Sequence, residues 1–475
     1  MFHVWPFKGL SEEAVVVIAT RVRTAAMGVA CVVGLGAVVQ TQPVAPIAIR
    51  NARIVPVSGA PIDAGTIVLA NGLIKAVGAR VDVPAEAVVI DGSGLTVYPG
   101  LIDALTDLGM SAAPPSTPGS GAGQGPPRPT GRTIRGPQDR PATTPWVQAA
   151  DEFRADDQKI ETWRNGGVTT VVTAPRGGIF PGQAAVVNLS GDRREDVVVR
   201  RAAGVPLVLT PPAGGGTFPG SAMGVLAYVR QVFLDTRTAA EQVRRYEQEP
   251  RGKARPDQDR ATQALHAAIQ AKVPFLLPAA SEVQIDRVLA LSREFDVPTV
   301  LYGAHEGYAA AGRIAKARVP VVVSAKWPEA PRDADPDADE LLEVLELRDR
   351  APRTPAALAE QKVPFAFASD GLPGPGEFLA NVRKAVKAGL APDAALRALT
   401  LDAAQIYGVQ DRLGSLETGK IANLIVVRGD LLGDTSTVAH VFVDGRRFDV
   451  PPDTGAARPS GPGRGPGRPG EGDRR

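Results

Sequence analysis

Hydrophobic positions between residues 46 and 98 come in short runs that alternate with polar ones. IAIRNARIVPV, GTIVLANGLIKAVG and AVVIDGSGLTVYPG are rich in β-branched residues and are broken by Asn-Gly and Asp-Gly pairs. That pattern predicts short strands joined by tight turns. It returns near the other end of the chain, in GKIANLIVVRGD and VAHVFVDGRRFDV, between Gly419 and Val450. Two β-rich segments so far apart predict one composite β-sandwich satellite domain, made of residues 46–98 and 408–450 and enclosing a larger insert.

Over residues 99–407 the pattern changes. Continuous apolar runs end in small or polar residues and alternate with stretches of helical spacing. The runs are LTVYPGLID, GVTTVVTAP, AVVNLSG, VPLVLTPP, VPFLLPAAS, VPTVLYGAH, VPVVVSAKW and VPFAFASDG. Unbroken β-branched runs indicate strands buried on both faces. EVQIDRVLALSREFD and GEFLANVRKAVKAG show the helical spacing between them. Eight such strands alternating with helices predict an α/β fold, a parallel (β/α)8 TIM barrel. The alternation falters between Val186 and Leu209, where two runs follow one another with no helical stretch between them.

Composition adds limits. The chain has 475 residues, 22% charged and 44% hydrophobic, with a formal net charge of +2. Nothing in that balance points to nucleic acid as a partner. Residues 111–144 and 451–475 are rich in Pro, Gly and Ser. They carry too little apolar surface to offset the entropy of ordering, so both are expected to be disordered. The first is an insertion after the first barrel strand. At the N-terminus Arg21 and Arg23 precede AAMGVACVVGLGAVV, after which the chain turns polar. An apolar run of roughly 15 residues fits an export signal better than a membrane span of about 20. Residues 1–45 are therefore expected to direct export to a periplasmic or extracellular compartment; without that role the protein is cytoplasmic. Cys31 is the only cysteine, which excludes a disulfide framework and a Cys-rich zinc site.

Several of these pieces together resemble the amidohydrolase superfamily, in the branch related to imidazolonepropionase. They are VYPGLIDALTDLG, GGVTTVVTAP, IFPGQAAVVNLSG, FASDG and ALTLDAAQIYGVQDRLGSLETGKIANLIVV, and they span residues 46–450 in the family's order. The resemblance implies a barrel with one or two divalent metals at its C-terminal mouth, hydrolysing the C–N bond of a small cyclic amide or related compound. The metal activates a water, and a carboxylate after the last strand moves its proton.

The chain departs from that family at most of the implied ligand positions. Leu105 and Asp107 stand where the first-strand His-x-His pair is expected. VLTPPAGGG after the fourth strand has no lysine or glutamate, and Pro278 stands at the fifth-strand histidine position. His305 follows the sixth strand, and Asp370 follows the eighth. Asp107, His305 and Asp370 are thus the candidate metal ligands, for one zinc or manganese at most, and Asp370 is the candidate catalytic carboxylate. Absence of metal is the stronger expectation, because leucine and proline remove ligands outright. His3, His266 and His440, the remaining histidines, read as structural, as does Asp103. GIFPGQAAVV lacks the Lys-Ser/Thr pair of a phosphate loop and reads as a turn near the mouth. No Gly-x-Ser-x-Gly elbow supports serine catalysis.

Three functions follow. The chain is a hydrolase using Asp107, His305 and Asp370; or a pseudo-hydrolase that binds a small-molecule ligand or a partner; or a metal-free hydrolase working through Asp107 and Asp370. The expected partners are a small molecule and a second copy or a related hydrolase subunit.

Overall fold

The computed structural model describes residues 45–110, 140–191, 193–211, 218–257, 259–331, 335 and 339–451. The expected export segment, most of the insertion and the tail lie outside these residues. The end of the insertion is within them, and it is folded. Thr143 is buried and hydrogen-bonds Tyr228 at 2.6 Å, while Arg140 bonds Asp235 and Asp259 at 2.7 and 2.9 Å.

Strands β1 (Ile47–Ile54), β2 (Ile62–Ala70), β3 (Leu73–Gly78), β4 (Val88–Asp91) and β5 (Leu95–Pro99) come first. Strands β6 (Leu101–Thr106), β7 (Val168–Thr173), β8 (Ala184–Asn188), β9 (Val198–Pro206), β10 (Phe275–Ala279), β11 (Thr299–Gly303), β12 (Val321–Ser324) and β13 (Phe365–Ala368) follow. The last are β14 (Leu424–Arg428), β15 (Thr437–Val443) and β16 (Arg446–Asp449).

The satellite sheet has the order β16-β15-β14-β5-β1-β2-β3, with β4 also on β1. Strands from both chain ends therefore share one ladder. The strands form one continuous hydrogen-bonded sheet that folds back on itself around a core. Its far edge, β3, returns to the segment before β14, as Ile74 N donates to Lys420 O at 2.9 Å and Ala422 N to Gly72 O at 2.9 Å. The curl encloses Ile49, Ile67, Ile74, Leu424 and Phe442. Strand β1 changes partner midway. Ile47–Arg50 pairs with β4, Arg53–Ile54 pairs with β5, and Asn51 between them has φ 60°. The Asn71-Gly72 and Asp444-Gly445 turns both have positive φ at each residue, as two-residue hairpins joining twisted strands require.

The run LTVYPGLID is two strands rather than one. β5 stays in the satellite sheet, and the chain passes at Gly100 into β6. A Cβ at Gly100 would lie 2.1 Å from Thr169 Oγ1, so only glycine lets the two sheets approach this closely.

The barrel sheet has the order β13-β12-β11-β10-β9-β8-β7-β6. Its two ends are drawn together by Asp103 of β6, which accepts from Ser369 N at 2.9 Å and Ser369 Oγ at 2.6 Å. The interior is filled by small and branched residues, among them Ala104, Val172, Val186, Ala203, Leu276, Val300 and Val322. Helices pack outside; Glu282–Phe295, for example, starts at a capping box between Ser281 and Gln284. The barrel is not wholly parallel. β8 runs antiparallel to both β7 and β9. A parallel crossover needs a dozen or more residues, usually a helix, whereas only residues 174–183 join β7 to β8. The missing helix near Val186 therefore reflects a strand that reverses direction.

Candidate functional site

A cavity of about 260 Å³ opens where the barrel strands end, at the face where barrels of this kind carry their sites. Its walls include Leu105 and Thr106 from β6, Ala174 to Gly177 after β7, Pro181, Pro206 and Val208 around the end of β9, Tyr302 of β11 and Asp370 after β13. A groove of about 850 Å³ between the helices Ala222–Gln248 and Arg260–Gln270 is larger, and it includes His266. It lies among outer helices, away from the strand ends, so the mouth is the better candidate.

Asp370 is held by its backbone as well as its side chain. It follows β13 in a left-handed conformation (φ 48°), and Ser324 Oγ at the end of β12 donates to its Oδ2 at 2.9 Å. Below it lies Asp103, fully buried, whose Oδ1 also accepts from Leu105 N at 3.4 Å. Burial pushes the Asp103 carboxyl up to about 7, against the opposing hydrogen bonds from Ser369.

Asp107 does not face an open ligand position. Its Oδ2 lies 2.8 Å from Arg176 Nε, and both side chains are about half exposed. Arg176 comes from the turn after β7. The far end of its guanidinium reaches Gly371, where a Cβ would stand 3.8 Å from Nη2. One arginine thus spans from the end of the first barrel strand to the end of the last.

His305 sits after β11, half buried. Its ring bonds the Lys326 backbone and meets Trp327 edge-on at 6.3 Å, and its Nε2 is buried without a hydrogen-bond partner. Burial lowers its pKa, with Asp370 acting in the opposite direction. Tyr302 donates its hydroxyl proton to Leu207 O at 2.9 Å, and burial together with Asp370 raises its pKa.

Among the described residues no three His, Cys, Asp or Glu side chains gather closely enough to hold a metal ion. Asp107, His305 and Asp370 are therefore not brought together as one ligand set. Asp370 lines the cavity, Asp107 is turned to Arg176, and His305 packs behind the mouth. Sequence reasoning missed Arg176, Tyr302 and Ser324. All three stand at the ends of apolar runs that were themselves legible, in VVTAPR, VLYGAH and VVVSAK.

Known proteins share this architecture. A sequence family described as the amidohydrolase family matches residues 311–448. An amidohydrolase from Thermotoga maritima MSB8 superposes with a TM-score of 0.67 at 25% identity, covering 85% of this chain and all of that one. The chain thus carries an amidohydrolase-family segment in its C-terminal part and shares the fold of that superfamily. A further relative is the amidohydrolase tasK of Hapsidospora irregularis, 23% identical over 434 residues, which are 82% of this chain. The chain spans 40% of the length of that relative. A molinate hydrolase shares the fold with a TM-score of 0.50 at 16% identity, covering 90% of this chain and all of its own.

Proposed function

We propose that this chain is a metal-independent protein that binds a small molecule at the barrel mouth, a pseudo-hydrolase. The observation that carries the reading is the Arg176–Asp107 ion pair. In this superfamily a metal at the mouth draws its ligands from the strand ends. Here the donor chemistry does not fit one. Leu105 offers an aliphatic side chain, Pro278 offers no side-chain donor, and Asp107 already answers a fixed positive charge. A divalent cation beside that guanidinium would meet repulsion instead of a free carboxylate pair.

What remains is a concave site with apolar walls and a few placed polar groups, the usual make-up of a ligand pocket. The test is elemental analysis of the purified chain after exposure to zinc and manganese and gel filtration. The expected result is metal far below one ion per chain. About one ion per chain, lost on Asp107→Ala or His305→Ala, would refute the reading.

A second reading is hydrolysis of a C–N bond in a cyclic amide, as in the imidazolonepropionase-like branch, through Asp370 alone as base. It is favoured by one observation: Asp370 faces the cavity with one carboxylate oxygen engaged by Ser324. Turnover of any cyclic amide that disappears in Asp370→Asn and persists in chelator would establish it.

A further inference from the structure

Three polar groups lining the mouth cavity, Tyr302, Asp370 and Arg176, keep bonding capacity for a ligand. Tyr302 commits its only proton to Leu207 O, so its phenol oxygen can only accept. Asp370 accepts from Ser324 through Oδ2, and among the described residues its Oδ1 has no hydrogen-bond partner. Arg176 pairs with Asp107 at its Nε side, and its Nη2 lies close to Gly371, the neighbour of Asp370. The cavity therefore offers acceptors at Asp370 and Tyr302 and a permanently charged donor at Arg176. Leu105, Pro206 and Val208 supply apolar wall.

A ligand that carries only a carboxylate would satisfy Arg176 and set its charge against Asp370. A ligand that carries only an amine would leave the Arg176 donors unmatched. Either ligand binds less well than one that meets both charges, even with the Arg176 side chain half exposed, because like charges set close together repel. We propose that the mouth cavity binds a small aliphatic α-amino acid as its zwitterion, the ammonium donating to Asp370 and Tyr302 and the carboxylate accepting from Arg176. The size agrees: about 260 Å³ lies just below the usual range for drug-sized ligand sites and restricts the side chain to a few carbons. No bond is made or broken. The inference rests on the reading of the mouth as a metal-independent binding site.

The experiment is calorimetric titration of the purified chain with L-leucine, L-valine and L-alanine, and with N-acetyl-L-leucine and L-leucinamide, with metal content measured on the same sample. The expected result is saturable binding of at least one free amino acid. Each capped analogue should bind about tenfold or more weakly than leucine, since each leaves one end of the site unmatched. Arg176→Met should erase the preference for leucine over leucinamide, and Asp370→Asn the preference over N-acetyl-leucine. The comparison of analogues on the unaltered chain stands even where a variant fails to fold. No saturation with any free amino acid at tens of millimolar, or leucinamide binding as tightly as leucine, overturns the inference. A metal-free sample that binds no amino acid overturns this inference alone. A sample holding about one metal per chain overturns the reading beneath it.

Discussion

Replacing Asp103 with asparagine should change how stability depends on pH while leaving the fold intact. Asp103 is fully buried between the first and last barrel strands, and its carboxyl is raised from 3.8 to about 7 by burial. In the folded chain it keeps its proton up to about pH 7, whereas in the unfolded chain it loses it near pH 4. Between those values the folded state binds more protons than the unfolded one, so stability falls as pH rises through this window and levels off above it. A difference of roughly 3 pH units at 1.36 kcal/mol each gives an upper bound of about 4 kcal/mol. Asparagine is neutral and nearly isosteric. Its oxygen can accept from Ser369 N and its amide can donate to Ser369 Oγ, replacing the bonds at 2.9 and 2.6 Å. The assay is urea unfolding of both proteins in steps from about pH 4.5 to about pH 8. The variant should gain on the parent steadily as pH rises, and the gap should stop growing near pH 7. Parallel curves across the window would refute the assignment of a buried, proton-holding Asp103.

Other outcomes follow from the same geometry. Asp444→Ala should destabilise by about 3 kcal/mol in denaturant melts, because it removes the acceptor for Asn188 Nδ2, at 2.7 Å, and for Ser190 Oγ in the buried network that ties the satellite sheet to the barrel. Arg176→Met should shift the melt by no more than about 1 kcal/mol, since its pair with Asp107 is half exposed, so any larger loss would show a structural role that the ion pair does not explain. Gly178→Ala should cost about 2 kcal/mol or more, as the residue has φ +90° and an added Cβ would meet Ala142 O at 2.7 Å; an unchanged melt would contradict that contact. Arg140→Ala should cost about 1 kcal/mol by releasing Asp235 and Asp259, measured in the same way.

Much of the scaffold was legible because its signals are local. Apolar runs marked seven of the eight barrel strands, whereas VPLVLTPP meets β9 only at Val205 and Pro206. Asn71-Gly72 and Asp444-Gly445 make hairpins because those pairs tolerate the left-handed backbone such turns need, but Asp91-Gly92 leads from β4 to β5, which both lie parallel to β1, and makes none. The last of these runs also placed Asp370 at a strand end. Direction and partnership were another matter. The run around Val186 reads the same whether its strand is parallel or antiparallel, and only the short return from β7 made it antiparallel. The single run LTVYPGLID gave no sign that Gly100 divides it between two sheets, since that depends on Thr169 lying opposite.

The site divides along the same line. The sequence by itself determined that Leu105 and Pro278 stand where the resemblance implies metal-binding histidines, because residue identity is read without any structure. It could not join Asp107 to Arg176, which are far apart in the chain, or commit Tyr302's proton to Leu207 O, nearly a hundred residues away. Nor could it set Asp103 against Ser369, 266 positions distant. Those pairings exist only once the barrel curls far enough to bring the ends of its first and last strands side by side. Charge and hydrogen bonding act over a few ångströms of space, and the distance along the chain does not enter.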